Sequence, residues 1–168
     1  MKPHESHKAA AKRSVAAAVV TVSDSRTVET DRSGAVVREA LEAAGHRVVA
    51  YDIVPDDPDA VGRLLDAHVA SAGVDAVILD GGTGLAPRDN TYEVVASRLT
   101  KTLDGFGELF RMLSFDDIGS SAMLSRAVGG LAADTAVFAL PGSSGACRLA
   151  MDRLVVPELP HIVTLAKP

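Results

Sequence analysis

A glycine-rich turn framed by acids is the first stretch of this chain that could do chemistry. DGGTGLAPRDNTYE runs from Asp80 to Glu93, directly after the apolar run VDAVIL. Asp80 closes that run, Gly81, Gly82 and Gly84 surround Thr83, and Arg88 and Asp89 lie just beyond. Glycines at this spacing let backbone N–H groups approach an anion, and a helix opening near Thr91 adds a favourable field. A second stretch of the same kind, PGSSG from Pro141 to Gly145, also precedes a helical pattern. The chemistry these loops could do is binding of phosphate-like anions. A tight turn is the plainer reading of either loop taken alone. Neither GxxxxGKS/T nor a clean GxGxxG is present, which excludes a P-loop and a dinucleotide fingerprint.

Acids and arginines gather around the same loops. Asp24, Asp56, Asp57, Asp80 and Asp89 are the carboxylates in question. Carboxylates beside phosphate loops suit Mg²⁺, which takes one or two of them together with phosphate oxygens. Asp57 precedes Pro58 and reads as a helix cap, which leaves Asp56 as the better metal ligand or base. Asp89 reads equally as a turn residue and as part of a site. Arg26, Arg88 and Arg126 could contact phosphate, and each alone also reads as a solvated arginine. The hydroxyls Ser120, Ser121 and Ser125 read from pattern alone as capping and close packing. Cys147 reads as core, and His161 as a surface or interface residue.

The elements that must hold these residues alternate in type. Val15–Val22 is a continuous β-branched and alanine run, the mark of a strand buried on both faces. A helix capped by Asp31 or Ser33 runs to Ala44 and ends at Gly45. Arg47–Val54 forms a second strand, and a helix from Asp57–Pro58 runs to about Ser71. Val74–Leu79 forms the third strand, followed by a helix over Thr91–Leu99. Asp104–Leu131 is mixed, with short helices expected around Glu108–Met112 and Met123–Val128. Thr135–Leu140 is a fourth strand, and two helices follow, about Gly145–Leu154 and Pro157–Leu165. This alternation predicts an α/β fold: a three-layer α/β/α sandwich on a mostly parallel, doubly wound sheet. SDSR, PDD, GGTG…RD and PGSSG then all lie at strand C-terminal ends, the edge where such sheets bind ligands.

Bulk properties set limits on function. The chain has 168 residues, net charge −5 and 4% aromatic residues without Trp. An acidic balance argues against a general nucleic-acid partner. One cysteine forbids a disulfide framework within the chain. No apolar run approaches the roughly 20 residues that cross a bilayer, so no membrane partner is expected. Residues 1–13, including His4 and His7, read as a flexible polar tail, and 14–168 as one domain. A cytoplasmic location is the expectation.

TVSDSR with DRSG, GGTGLAPRDNTYE, SFDDIGSSAMLSRAVGG and ALPGSSGACRLAMDRLVVPELPHI resemble the MoaB/Mog family of molybdenum cofactor biosynthesis proteins, from about Val15 to Val163. The resemblance implies a molybdopterin adenylyltransferase: the terminal phosphate of molybdopterin attacks the α-phosphate of Mg-ATP, and pyrophosphate leaves. It implies Asp56 and Asp89 as catalytic acids and Mg²⁺ ligands. It implies Ser23, Asp24, Gly81, Gly82, Thr83, Gly84, Ser125, Arg126, Pro141, Gly142 and Ser143 as substrate-binding residues. It also implies a trimer, with hexamers in some relatives, and hand-off of product to a MoeA-like molybdenum insertase. Asp80 stands where the family usually carries Thr or Ser; beside phosphate it must bind Mg²⁺ or be turned away. Two other classes compete: a non-catalytic molybdopterin- or nucleotide-binding oligomer, and a purely structural trimer. For the last, Phe106, Phe110, Met112 and Phe115 fit a subunit interface as well as a core.

Overall fold

Three central strands carry no exposed face, as their unbroken apolar sequences require. The computed structural model describes residues 14–167, so the 1–13 segment lies outside the described residues. β1 (Ala16–Val22), β3 (Ala76–Asp80) and β6 (Thr135–Leu140) are buried at every position and pair in parallel, β1 with β3 and β3 with β6. β2 (Arg47–Val54) lies parallel to β1 on its other side. β5 (Val128–Ala132) and the two-residue β4 (Lys101–Thr102) continue the sheet beyond β6 in antiparallel sense. The strand order is β2-β1-β3-β6-β5-β4.

Helices cover both faces and make three layers. Alternate residues of each central strand face opposite cores, as the two-residue strand period demands. Val19, Ile78 and Phe138 pack with α1 (Arg32–Ala43), α4 (Asp104–Ile118), α5 (Ser144–Ala150) and α6 (Val156–Ala166). Val20, Leu79 and Val137 pack with α2 (Pro58–Val69) and α3 (Thr91–Ala96). Each fully buried Val, Leu or Ile contributes about 1.5–3 kcal/mol relative to exposure, so this frame holds the loops rigidly.

The helix caps follow the sequence. Asp31 accepts a hydrogen bond from the Gly34 amide and caps α1, and Gly45 ends that helix region at φ 82°. Asp57 accepts from the Ala60 amide at 2.9 Å and caps α2, with Pro58 in its first turn.

The Asp104–Leu131 expectation is corrected. Instead of two short helices there is one 15-residue helix, α4, then a 3₁₀ turn over Gly119–Leu124 and strand β5. Glycines hid β5 from the pattern. A side chain on Gly129 would collide with the Phe138 ring, and one on Gly130 with the Lys101 carbonyl. Close approach of neighbours is what demands glycine within this strand. The C-terminal helices run together through a π turn at Met151–Val155. Phe106 and Phe110 are core, whereas Met112 and Phe115 are 58% and 60% exposed. No helix of the described residues is long and apolar enough to cross a membrane.

Candidate functional site

The strand order decides where a ligand can enter. The chain leaves β1 for β2 on one side and returns to β3 on the other. Loops from adjacent β1 and β3 therefore diverge and open a crevice at their C-terminal ends. A cavity of about 510 Å³ fills this crevice. Ser23, Ser25 and Arg26 from the β1 loop, Gly81–Gly84 and Asp89 from the β3 loop, and Pro141 and Gly142 from the β6 loop line it. Ser121, Leu124 and Ser125 from the turn after α4 close one wall.

The glycines are needed for shape. Gly81 and Gly82 adopt φ 95° and 65°, a region that side chains disfavour. A Cβ on Gly81 would strike the Val22 carbonyl, and one on Gly82 the Thr91 hydroxyl. A Cβ on Gly142 would lie 3.0 Å from the Gly81 Cα, so the two glycine loops touch backbone to backbone. Gly81 N–H donates to the Leu140 carbonyl at 3.1 Å, which ties the β3 loop to β6.

Asp56 and Asp89 approach the GGTG turn at Gly82 and at Gly84, and Asp56 lies outside the cavity lining. Asp89 lines the cavity and accepts from the Ala86 amide at 2.9 Å, so it is a turn residue as well. Asp56 is 12% exposed in its side chain, and its Oδ1 would lie 3.2 Å from a Cβ on Gly82. Burial, and then the Asp89 charge, push the Asp56 carboxyl above its ordinary range. The Thr91 hydroxyl next to them is buried without a hydrogen-bond partner. A hard cation shared with phosphate oxygens suits this pair, because it would relieve the repulsion that raises Asp56. Among the described residues no three metal-ligating His, Cys, Asp or Glu side chains come together, so the residues fit a cation shared with substrate and not a closed protein cage.

Three expected binding residues have other partners. Asp24 accepts from the Asp56 amide at 3.0 Å and pairs with Arg88, so it braces the β2 loop outside the cavity lining. Arg88 also reaches Asp56 at 3.8 Å. Arg126 does not line the cavity. Its Nε donates to the Thr83 and Gly84 carbonyls at 3.1 Å, and its Nη2 to Gly84 at 2.8 Å and Asp89 at 3.3 Å. It pairs with Glu93 and stacks 5.0 Å over the Tyr92 ring. Its donors are used on the loop and leave little for phosphate. Ser143 caps α5 through the Ala146 amide at 3.2 Å and lines a smaller adjoining cavity of about 250 Å³.

Asp80 is turned away from the cavity. It is fully buried and accepts from Thr21 Oγ1 at 2.9 Å and Ser33 Oγ at 2.5 Å. Burial is the main reason its carboxyl is pushed up to about 6. Arg26, of the three candidate arginines, is the one that lines the cavity. Its Nη2 donates to the Gly142 carbonyl at 2.9 Å. Ser25 and Leu124 were not singled out by sequence. Ser121 read from its own pattern as capping and packing, and it was the family resemblance that pointed its serine-rich segment to the pocket wall, where the structure has it.

Residues 18–161 match the family described as a probable molybdopterin binding domain. The chain is 52% identical over 157 residues to molybdenum cofactor biosynthesis protein B of Bacillus cereus, covering 93% of each chain. It is similar to a crystal structure of molybdenum cofactor biosynthesis protein B at 51% identity and TM-score 0.89, covering 91% of this chain and 96% of that one. It is also similar to the tungsten cofactor synthesizing protein MoaB from Pyrococcus furiosus at 34% identity and TM-score 0.83, covering 94% and 100%. With the cavity, its glycine loops and these matches together, the chain belongs to the MoaB/Mog family of molybdenum cofactor biosynthesis proteins.

Proposed function

We propose that this chain adenylylates molybdopterin. A terminal phosphate oxygen of molybdopterin bonds to the α-phosphorus of ATP, the bond from that phosphorus to the β-phosphate oxygen breaks, and pyrophosphate departs. The observation that carries the reading is the juxtaposition of two glycine loops and Asp89 at one crevice, with Asp56 against the GGTG turn at Gly82. Adenylyl transfer asks for positioning and charge neutralisation more than for covalent help. Gly82, Thr83, Gly84 and Gly142 line the cavity, and their turn amides would meet phosphate oxygens, while the Gly81 amide is held by Leu140. Ser23, Ser25, Ser121 and Ser125 offer hydroxyls around them. Arg26 supplies a guanidinium at the wall. Asp56 and Asp89 would hold Mg²⁺ together with the phosphates. When bound, Mg²⁺ screens the two anionic substrates from each other and stabilises the leaving pyrophosphate. Arg126 keeps the GGTG turn in its binding shape.

The exposed side chains Leu109, Met112, Phe115 and Ile118 recur every three residues along α4, and Met123 and Leu124 extend the patch. That apolar stripe supports assembly into a homo-oligomer, with a trimer as the proposed form. Hand-off of the adenylylated product to a MoeA-like insertase in the cytoplasm completes the proposal.

The test is pyrophosphate release from ATP and Mg²⁺, with and without molybdopterin. Release that depends on molybdopterin is expected. Binding of molybdopterin with no release would overturn catalysis and leave a carrier.

A further inference from the structure

Two buried carboxylates meet beneath the cavity wall with fewer protons between them than close approaches. Thr21 Oγ1 lies 2.5 Å from Asp31 Oδ2 and 2.9 Å from Asp80 Oδ2. Ser33 Oγ lies 2.5 Å from Asp80 Oδ1 and 3.2 Å from Asp31 Oδ1. Each hydroxyl brings a single proton, so two protons serve four oxygen–oxygen approaches. With both carboxylates ionised, two of these would set lone pair against lone pair in a dry site.

One more proton, on Asp80, relieves the approach at Thr21, and Arg26 Nη1 bridges the remaining one between Ser33 and Asp31 Oδ1. Asp80 Oδ2 then donates to Thr21, Thr21 donates to Asp31, and Ser33 donates to Asp80 Oδ1. Asp31 has no need of the proton. It also accepts from the Tyr51 hydroxyl at 2.5 Å, the Gly34 amide at 3.0 Å and Arg26 Nη1 at 3.4 Å. Burial alone would raise Asp31, but the bonds from Thr21, Tyr51, Gly34 and Ser33 outweigh it and hold the group below the usual carboxylate range.

Arg26 connects the pair to the cavity. Its Nη1 donates to Ser33 and lies 3.6 Å from Asp80 Oδ1, while Nη2 holds the Gly142 carbonyl. We propose that Asp31 and Asp80 share one proton, held on Asp80, and that this proton sets the net charge presented through Arg26 to an anionic ligand. The inference rests on reading the cavity as a phosphate site.

With the proton in place, Arg26 and Asp31 cancel and Asp80 is neutral. Without it, the same wall carries one excess negative charge and repels the ligand. The other titratable groups near Asp80 stay neutral around neutral pH. Burial pushes the Tyr51 hydroxyl of β2 up to about 12 and pushes the Cys147 thiol of α5 up as well. The adjoining β6 residue, Leu140, carries no charge. Asp80 is thus a positioning residue, acting through Arg26. By reciprocity, a bound anion must hold the proton more tightly, so binding above pH of about 6 takes up a proton.

The experiment compares the full chain with Asp80→Asn, whose amide can donate to Thr21 and accept from Ser33 as the protonated acid does. The affinity for inorganic pyrophosphate is measured from pH 5 to 8 for both, and the ratio cancels the titration of the probe itself. The variant should match wild type at the acid end and bind about tenfold tighter at the alkaline end, the scale of one partly screened charge. Proton uptake on binding, measured by calorimetry in two buffers, should be greater in wild type than in the variant above pH 6, the difference cancelling the probe's own titration. A flat ratio with binding intact overturns the inference and leaves the phosphate site standing. No pyrophosphate binding by either chain overturns both. Infrared titration of wild type alone should show a buried protonated carboxyl band at pH 5 that is gone at pH 8. Its absence overturns the shared proton even if the variant does not fold.

Discussion

Asp56 and Asp57 are sequence neighbours, yet the backbone sends them to different tasks. Asp57 faces its own helix and accepts the Ala60 amide, while Asp56 faces the GGTG turn and the charge of Asp89. Asp57→Ala should cost about 1 kcal/mol of stability, as a lost N-cap does, with turnover unchanged. Asp56→Asn and Asp89→Asn should do the reverse, with thermal unfolding near wild type and pyrophosphate release down roughly 100-fold or more. Wild-type rates in both Asn variants would remove these acids from the reaction. The Asp57 cap was legible because aspartate followed by proline has a local meaning. The roles of Asp80 and Arg26 were not, because their partners Thr21, Ser33 and Gly142 lie 59, 47 and 116 residues away from them.

At the level of elements, the β3 loop is held by a side chain from another part of the chain. Arg126 donates to carbonyls of Thr83, Gly84 and Asp89 and also pairs with Glu93 at the start of α3. Arg126→Ala should therefore cost about 1.5–3 kcal/mol, the range for hydrogen bonds from a charged donor in a partly buried setting. ATP binding should weaken with it. Urea unfolding and ATP titration of the same variant check both, and unchanged ATP affinity would show that the loop keeps its shape unaided. β1, β2 and β6 were readable because β-branched runs bounded by turns carry their own signal. β5 was not, since Gly129 and Gly130 suit close neighbours and break the pattern that marks a strand. The long α4 was likewise shortened to Glu108–Met112 in the sequence pattern, where Gly105 and Gly107 mask its first turns.

For the whole molecule, two buried groups act on stability in opposite pH directions. His46 is buried and accepts from the Val15 amide at 3.3 Å, and burial holds its proton affinity below the ordinary value. The fold favours neutral His46, so stability falls as pH drops below about 6.5. Asp80 is raised to about 6, so the fold favours its protonated form. Stability from that group is present below about pH 4 and declines as pH rises through 6. Asp80→Asn should therefore unfold like wild type near pH 4 and be more stable by on the order of 2–3 kcal/mol near pH 8. Urea titrations across that range decide it. Met112→Glu, on the exposed stripe of α4, should shift the proposed homo-oligomer towards monomer in light scattering while leaving thermal unfolding of the protomer in place. The mixed sheet also orders events in time. β5 and β6 are joined by Ala133 and Asp134 alone, so this hairpin can zip on the scale of microseconds. β1 and β3 must close a loop of more than fifty residues before Thr21 can meet Asp80, and such distant pairings form slowly. During refolding, pulse-labelled amides of β5 and β6 should gain protection before those of β1 and β3. A newly made chain would then pass through a stage with a well-formed hairpin and no pocket, blind to its ligand until the last strands join.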